Sequence, residues 1–161
     1  MSVTRHWKWA VVTLALLIVT NAVTAVTAGW IVRDDAQAAA PTIVTGGDPL
    51  NTECMKDVVT ANSVVAAGGA FELKILYSTR CNAAWAKVTR TDHAGFGNRI
   101  TVTIFRRSEP QGESRQFADE HDVDSAYTMV IVRQDPTDRL CATGSATNGS
   151  TEVTVEPPIC L

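Results

Sequence analysis

The chain has 161 residues, enough for one domain with a tail and too few for two. Residues 1–33 carry Arg5, Lys8 and Arg33 and no acid, so everything after them holds all 17 acidic residues against the remaining 11 of 14 Lys+Arg, a balance of about −6. A surface of that sign excludes nucleic-acid binding driven by bulk electrostatics.

From Ala10 to Val32 no residue is charged. At about 1.5 Å per residue, such a run crosses a ~30 Å hydrocarbon core as a helix. Residues 1–9 form a short basic region, and its Arg5, His6 and Lys8 keep the N-terminus on the cytoplasmic side. Two outcomes are open for residues 10–32. They form a signal peptide cut near Ala28, where Val26-Thr27-Ala28 precedes Gly29. Or they stay as a signal anchor, with Trp7 and Trp9 at one interface and Trp30 at the other. Either outcome places the rest of the chain outside the cytoplasm, secreted or held by a single membrane pass. Residues 33–50, rich in Pro and Gly and without periodicity, read as a linker.

Residues 51–161 read as an extracytoplasmic β domain. Met55 to Ala67 is open between strand and loop. Phe71 to Ser78 alternates with period two and predicts the first clear strand, and Trp85 to Arg90 the next. Ile100 to Arg107 follows the turn Gly95–Asn98, with Ile100, Val102, Ile104 and Arg106 on one side. Ser108 to Arg115 is a polar turn. Tyr127 to Arg133 is strongly β-prone, and Gln134 to Asp138 reads as a tight turn. Leu140 to Thr143 and Thr151 to Val155 finish the set, joined through Asn148-Gly149, a hairpin signal. Short strands with turns every 8–12 residues predict an all-β fold, a small disulfide-stapled β-barrel or sandwich preceded by one N-terminal hydrophobic helix.

Cys54, Cys81, Cys141 and Cys160 all follow the apolar segment. An even count in a small exported domain predicts two disulfides. The local pairs Cys54–Cys81 and Cys141–Cys160 are favoured among three possible pairings. A zinc site fits poorly, because no Cys-x-x-Cys occurs and no His stands at ligand spacing from a Cys.

The stretch Glu72 to Val88 resembles the YjfA-like domain of unknown function, found in exported proteins of Gram-positive bacteria, mainly actinomycetes. The matching residues are Cys54, Asp57, Tyr77, Ser78, Cys81, Ala83, Ala84, Trp85 and Ala86. Tyr127-Thr128-Met129-Val130 and Cys141-Ala142 are similar too. The likeness spans roughly residues 51–161, with the departure that Ile75-Leu76 stands where the family strand is shorter. It implies an extracytoplasmic β domain and no particular activity.

No catalytic, cofactor or metal residue is assigned. Asp119 to Asp124 gathers four carboxylates around His121; a calcium site is one reading, but the D-x-D-x-D-G spacing is missing and a solvated acidic loop is expected. Asp92-His93 reads as a polar turn, since no nucleophile motif accompanies it. A possible binding surface comprises Trp85, Tyr127, Arg106 and Arg107. Trp85 and Tyr127 suit sugar stacking, although a Trp so near a disulfide more often packs in the core. Arg106, Arg107 and Arg115 suit an anionic cell-wall or envelope component. The expected function is a non-enzymatic envelope module; a hydrolase using His93 or His121 with nearby carboxylates is the alternative.

Overall fold

The computed structural model describes residues 43–93, 97–148 and 150–161. The expected hydrophobic helix at 10–32 and most of the expected linker lie outside them.

Alternation drives the strands. In β2 (Phe71–Ser78), Phe71, Leu73 and Ile75 point inward and are at most 2% exposed, while Glu72 and Lys74 point out and pair at 2.9 Å. β2 lies between β1 (Val58–Ala66) and β3 (Ala83–Arg90), antiparallel to both. The far edge of β3 takes two short strands, β6 (Ser125–Tyr127) and β7 (Ile131–Val132). The second sheet is centred on β4 (Arg99–Arg106) and β8 (Leu140–Asn148). β5 (Gln116–His121) flanks β4, and both β9 (Thr151–Thr154) and β10 (Ile159–Cys160) pair along β8. The described residues are therefore all-β, with two antiparallel sheets and two disulfides.

The sheets face each other as a sandwich. Leu73 and Ile75, Ala86 and Val88, Ile100, Val102 and Ile104, and Leu140 and Ala142 form the main core. The inward positions of β8 after Leu140 are small, and the reason is close approach. A Cβ on Gly144 would stand 2.6 Å from Val88 Cγ2 and 3.2 Å from Thr101 O.

β3 is buried on both faces over its first half. Ala84 and Ala86 face the main core, while Ala83 and Trp85 point the other way into a second cluster with Cys54, Cys81 and Val130. Ile43 and Val58 pack against that cluster. It exists because residues 43–57 fold back over β3. Gly46 N donates to Val130 O at 2.9 Å, Val130 N to Gly47 O at 3.0 Å, and Val132 N to Thr45 Oγ1 at 3.0 Å.

Three expectations are corrected here, and one left open is resolved. The linker does not extend to residue 50, because residues 43–50 belong to the folded unit, bonded along 130–132. Met55 to Ala67 resolves into a 3-10 turn (Glu53–Lys56) and the nine-residue β1. The single strand over 127–133 is broken. Thr128 Oγ1 accepts the Ala86 amide and Val130 turns to pair with Gly46 and Gly47, so only the flanks stay in the ladder with β3. Finally, the acidic loop begins as a strand, β5, paired with β4 over six residues.

Candidate functional site

A cleft of about 1080 Å³ opens where β4 ends and β8 begins. Its walls are the loops 107–115 and 133–139. The 133–139 wall is fixed by arginines acting inward. Arg106, 6% exposed, forms an ion pair with Asp138 and donates through Nη2 to Val132 O at 2.7 Å. Arg133 donates through Nε to Asp138 O at 3.1 Å and through Nη2 to Pro136 O. The Arg133 guanidinium also lies 5.9 Å from the centre of the Tyr77 ring. On the opposite wall, successive amide-to-carbonyl turns hold the chain: Glu109 N to Arg106 O, Gly112 N to Glu109 O and Arg115 N to Gly112 O, each 3.0 Å. Asp135 accepts both the amide and the hydroxyl of Thr137, at 2.7 and 2.6 Å, and these bonds hold its carboxyl below its ordinary pKa.

What remains facing the cleft is polar. Arg107 and Arg139 supply guanidinium groups, Ser108 a hydroxyl, and Glu109 and Glu113 carboxylates. Ser114 Oγ is buried with no hydrogen-bond partner among the described residues. The rim is mixed in sign: the two guanidinium groups stand with the carboxylates of Glu109, Glu113 and Asp135, each able to form charge-assisted hydrogen bonds.

The expected binding residues separate. Arg107 lines this cleft with an exposed side chain, whereas Arg106 lies in its floor, spent on Asp138. Trp85 is 1% exposed and is no platform. It packs beside the Cys54–Cys81 disulfide, on the face of β3 that residues 43–57 cover. Tyr127 is half-buried on the far edge of the first sheet. Burial, with Asp48 nearby, raises its phenol above the ordinary value.

The disulfides join Cys54 to Cys81 and Cys141 to Cys160. The first sits in a clamp spelled by the motif residues. Ser78 Oγ donates to Asp57 Oδ1 at 2.5 Å, Arg80 N to Asp57 Oδ2 at 2.7 Å, and Cys81 N to Ser78 Oγ at 3.1 Å. The Ser78 bond and then the Arg80 amide hold the Asp57 carboxyl below its usual pKa. Asn82 takes a left-handed φ of 47° in the next turn. It accepts the Tyr77 hydroxyl, and its side chain donates to Arg133 O at 3.0 Å. The motif is thus a structural staple joining the β2–β3 turn to the covering segment. Two such bonds in a small domain are the chemistry of an oxidising space outside the cytoplasm.

His121 ends β5 with its side chain 67% exposed, 4.0 Å from Asp119. His93 is exposed at a φ of 52°. Neither lines the cleft. The acids near His121 are engaged in the fold: Asp119 pairs with Arg99, which lowers its pKa, and Asp122 Oδ1 accepts Gly97 N at 2.7 Å. Among the described residues no three His, Cys, Asp or Glu side chains gather as a metal ion needs. The composition signalled neither Arg139 nor Ser114, because loops about 25 residues apart in sequence build the cleft.

No curated protein and no solved structure matches the chain. A family model described as "Protein of unknown function (DUF2690)" matches residues 42–153, from the covering segment through β9, and with that match the chain belongs to the DUF2690 family.

Proposed function

We propose that the protein is a non-enzymatic envelope module, secreted or held at the membrane by residues 10–32, that binds an anionic cell-wall or envelope polymer in the cleft between loops 107–115 and 133–139. The observation that carries this reading is the division of labour among the arginines. Arg106 and Arg133 are committed to shaping the walls, and Arg107 and Arg139 are left to face the cleft. Rigid walls lower the ordering cost of binding. The likeness to YjfA-like exported proteins of Gram-positive bacteria supports the location, as do the two disulfides.

The test is cosedimentation of the full chain with purified Gram-positive cell walls, before and after removal of wall teichoic acid. Wild type should pellet with the intact walls. Arg107→Glu with Arg139→Glu should lower retention at least tenfold with the melting temperature unchanged. Equal retention of that variant, or of wild type on walls stripped of anionic polymer, refutes the reading.

A further inference from the structure

The two ends of the sheet stacking are finished differently. At one seam, β1 meets β10. There β1 carries a bulge between Thr60 and Asn62, and Asn62 Nδ2 reaches across to Cys160 O at 2.9 Å. Bulges and side-chain bridges of this kind close a strand edge to further pairing.

At the other seam, β5 faces β6, and among the described residues no backbone bond joins them. β5 ends its sheet, and its register with β4 is unbroken from Gln116 to His121. Along an antiparallel strand, alternate residues turn their N–H and C=O away from the paired neighbour. On the open side of β5 those groups meet no backbone partner among the described residues. The strand holds no Lys or Pro to discourage pairing. Beside it runs a groove of about 390 Å³ into which Phe117, Tyr127 and Met129 project. Phe117 is 52% and Met129 40% exposed, and the Arg115 guanidinium stands 5.8 Å from the centre of the Phe117 ring. The charged residues lining the groove are Asp119, already paired with Arg99, and Glu120, whose carboxylate is left to a ligand.

We propose that this seam binds an extended, cationic peptide strand, which pairs its backbone with the free edge of β5 and seats alternate side chains against Phe117, Tyr127 and Met129. Strand addition draws affinity from main-chain hydrogen bonds and selectivity from every second side chain. The Glu120 carboxylate favours Lys or Arg at the position beside it. This surface is separate from the arginine cleft, so either can fail without the other.

The probe is a fluorescently labelled eight-residue Lys-Val alternating peptide, titrated against the full chain in detergent micelles. Hydrogen exchange is followed in parallel by mass spectrometry. The peptide should bind and slow exchange of the 116–121 amides at least tenfold. A Lys-Pro peptide of equal charge, unable to donate at every second residue, should bind at least tenfold more weakly. A Glu-Val peptide should do the same. Phe117→Ser and Glu120→Lys should each weaken the Lys-Val peptide without lowering the melting temperature. The proposal is overturned if Lys-Pro binds equally well, which is ion pairing alone. It is overturned also if protection falls outside β5, or if the 116–121 amides are already protected without peptide as protein concentration rises.

Discussion

Gly144 offers a sharp test of how closely the two sheets approach. Gly144→Ala places a methyl 2.6 Å from Val88 Cγ2, about 1 Å inside ordinary carbon contact. Val88 is fully buried and β-branched, so its side chain has few rotamers into which to retreat. Overpacking of this kind costs typically 1–3 kcal/mol. Replacing Gly also stiffens the unfolded chain and returns about 0.4–1 kcal/mol where the backbone is compatible. The net expectation is a loss of about 1.5 kcal/mol, or roughly 6 °C in a domain of this size. Val88→Ala alone removes two methyl groups at about 0.8 kcal/mol each and leaves a cavity, for about 2 kcal/mol. The double variant should fall short of the sum by at least ~1 kcal/mol, because the missing methyls receive the new one. Relief is partial, since Thr101 O stands 3.2 Å from the same position. Urea unfolding followed by far-ultraviolet circular dichroism reads all four corners of the cycle. A Gly144→Ala variant within ~0.5 kcal/mol of wild type, or strict additivity in the pair, refutes the close approach.

Other expectations follow from the staples and the buried charges. Reduction should add about four daltons to the intact mass, from two disulfides. In the chain-entropy treatment the sequence separations of 27 and 19 predict losses of about 3.5 and about 3.2 kcal/mol on removing each one. With Trp7, Trp9 and Trp30 changed to Phe, Trp85 is the sole tryptophan; Cys54→Ala with Cys81→Ala should then red-shift its emission, and Cys141→Ala with Cys160→Ala should not. Arg106→Met strands Asp138 in the cleft floor and should cost about 3–5 kcal/mol, as breaking a buried pair does. Adding Asp138→Leu should recover much of that loss in thermal melts. Asp57 has a folded-state pKa below its unfolded value of about 3.9, so its contribution is full above that value and is lost as pH falls through the folded one. Asp57→Asn should flatten the acid limb of a stability-versus-pH curve below about pH 4. An unchanged limb removes Asp57 from the clamp.

The sequence alone determined a good deal, wherever a property is local. Period-two alternation in Phe71–Ser78 and Ile100–Arg106 placed β2 and β4 with their inward faces, because a strand's pleat fixes sidedness without reference to neighbours. Proximity along the chain favoured Cys54–Cys81 and Cys141–Cys160, since short loops close most readily. Tertiary structure decided everything that depends on what lies opposite. β5 reads as a loop in isolation because its outward residue is Phe117 and its inward ones are Gln116, Ala118 and Glu120; only pairing with β4 makes it a strand. Arg106 and Arg107 are identical in type and adjacent in the chain. One is buried on Asp138 in the cleft floor and the other lines the cleft exposed, because only the fold supplies an acid to meet one of them.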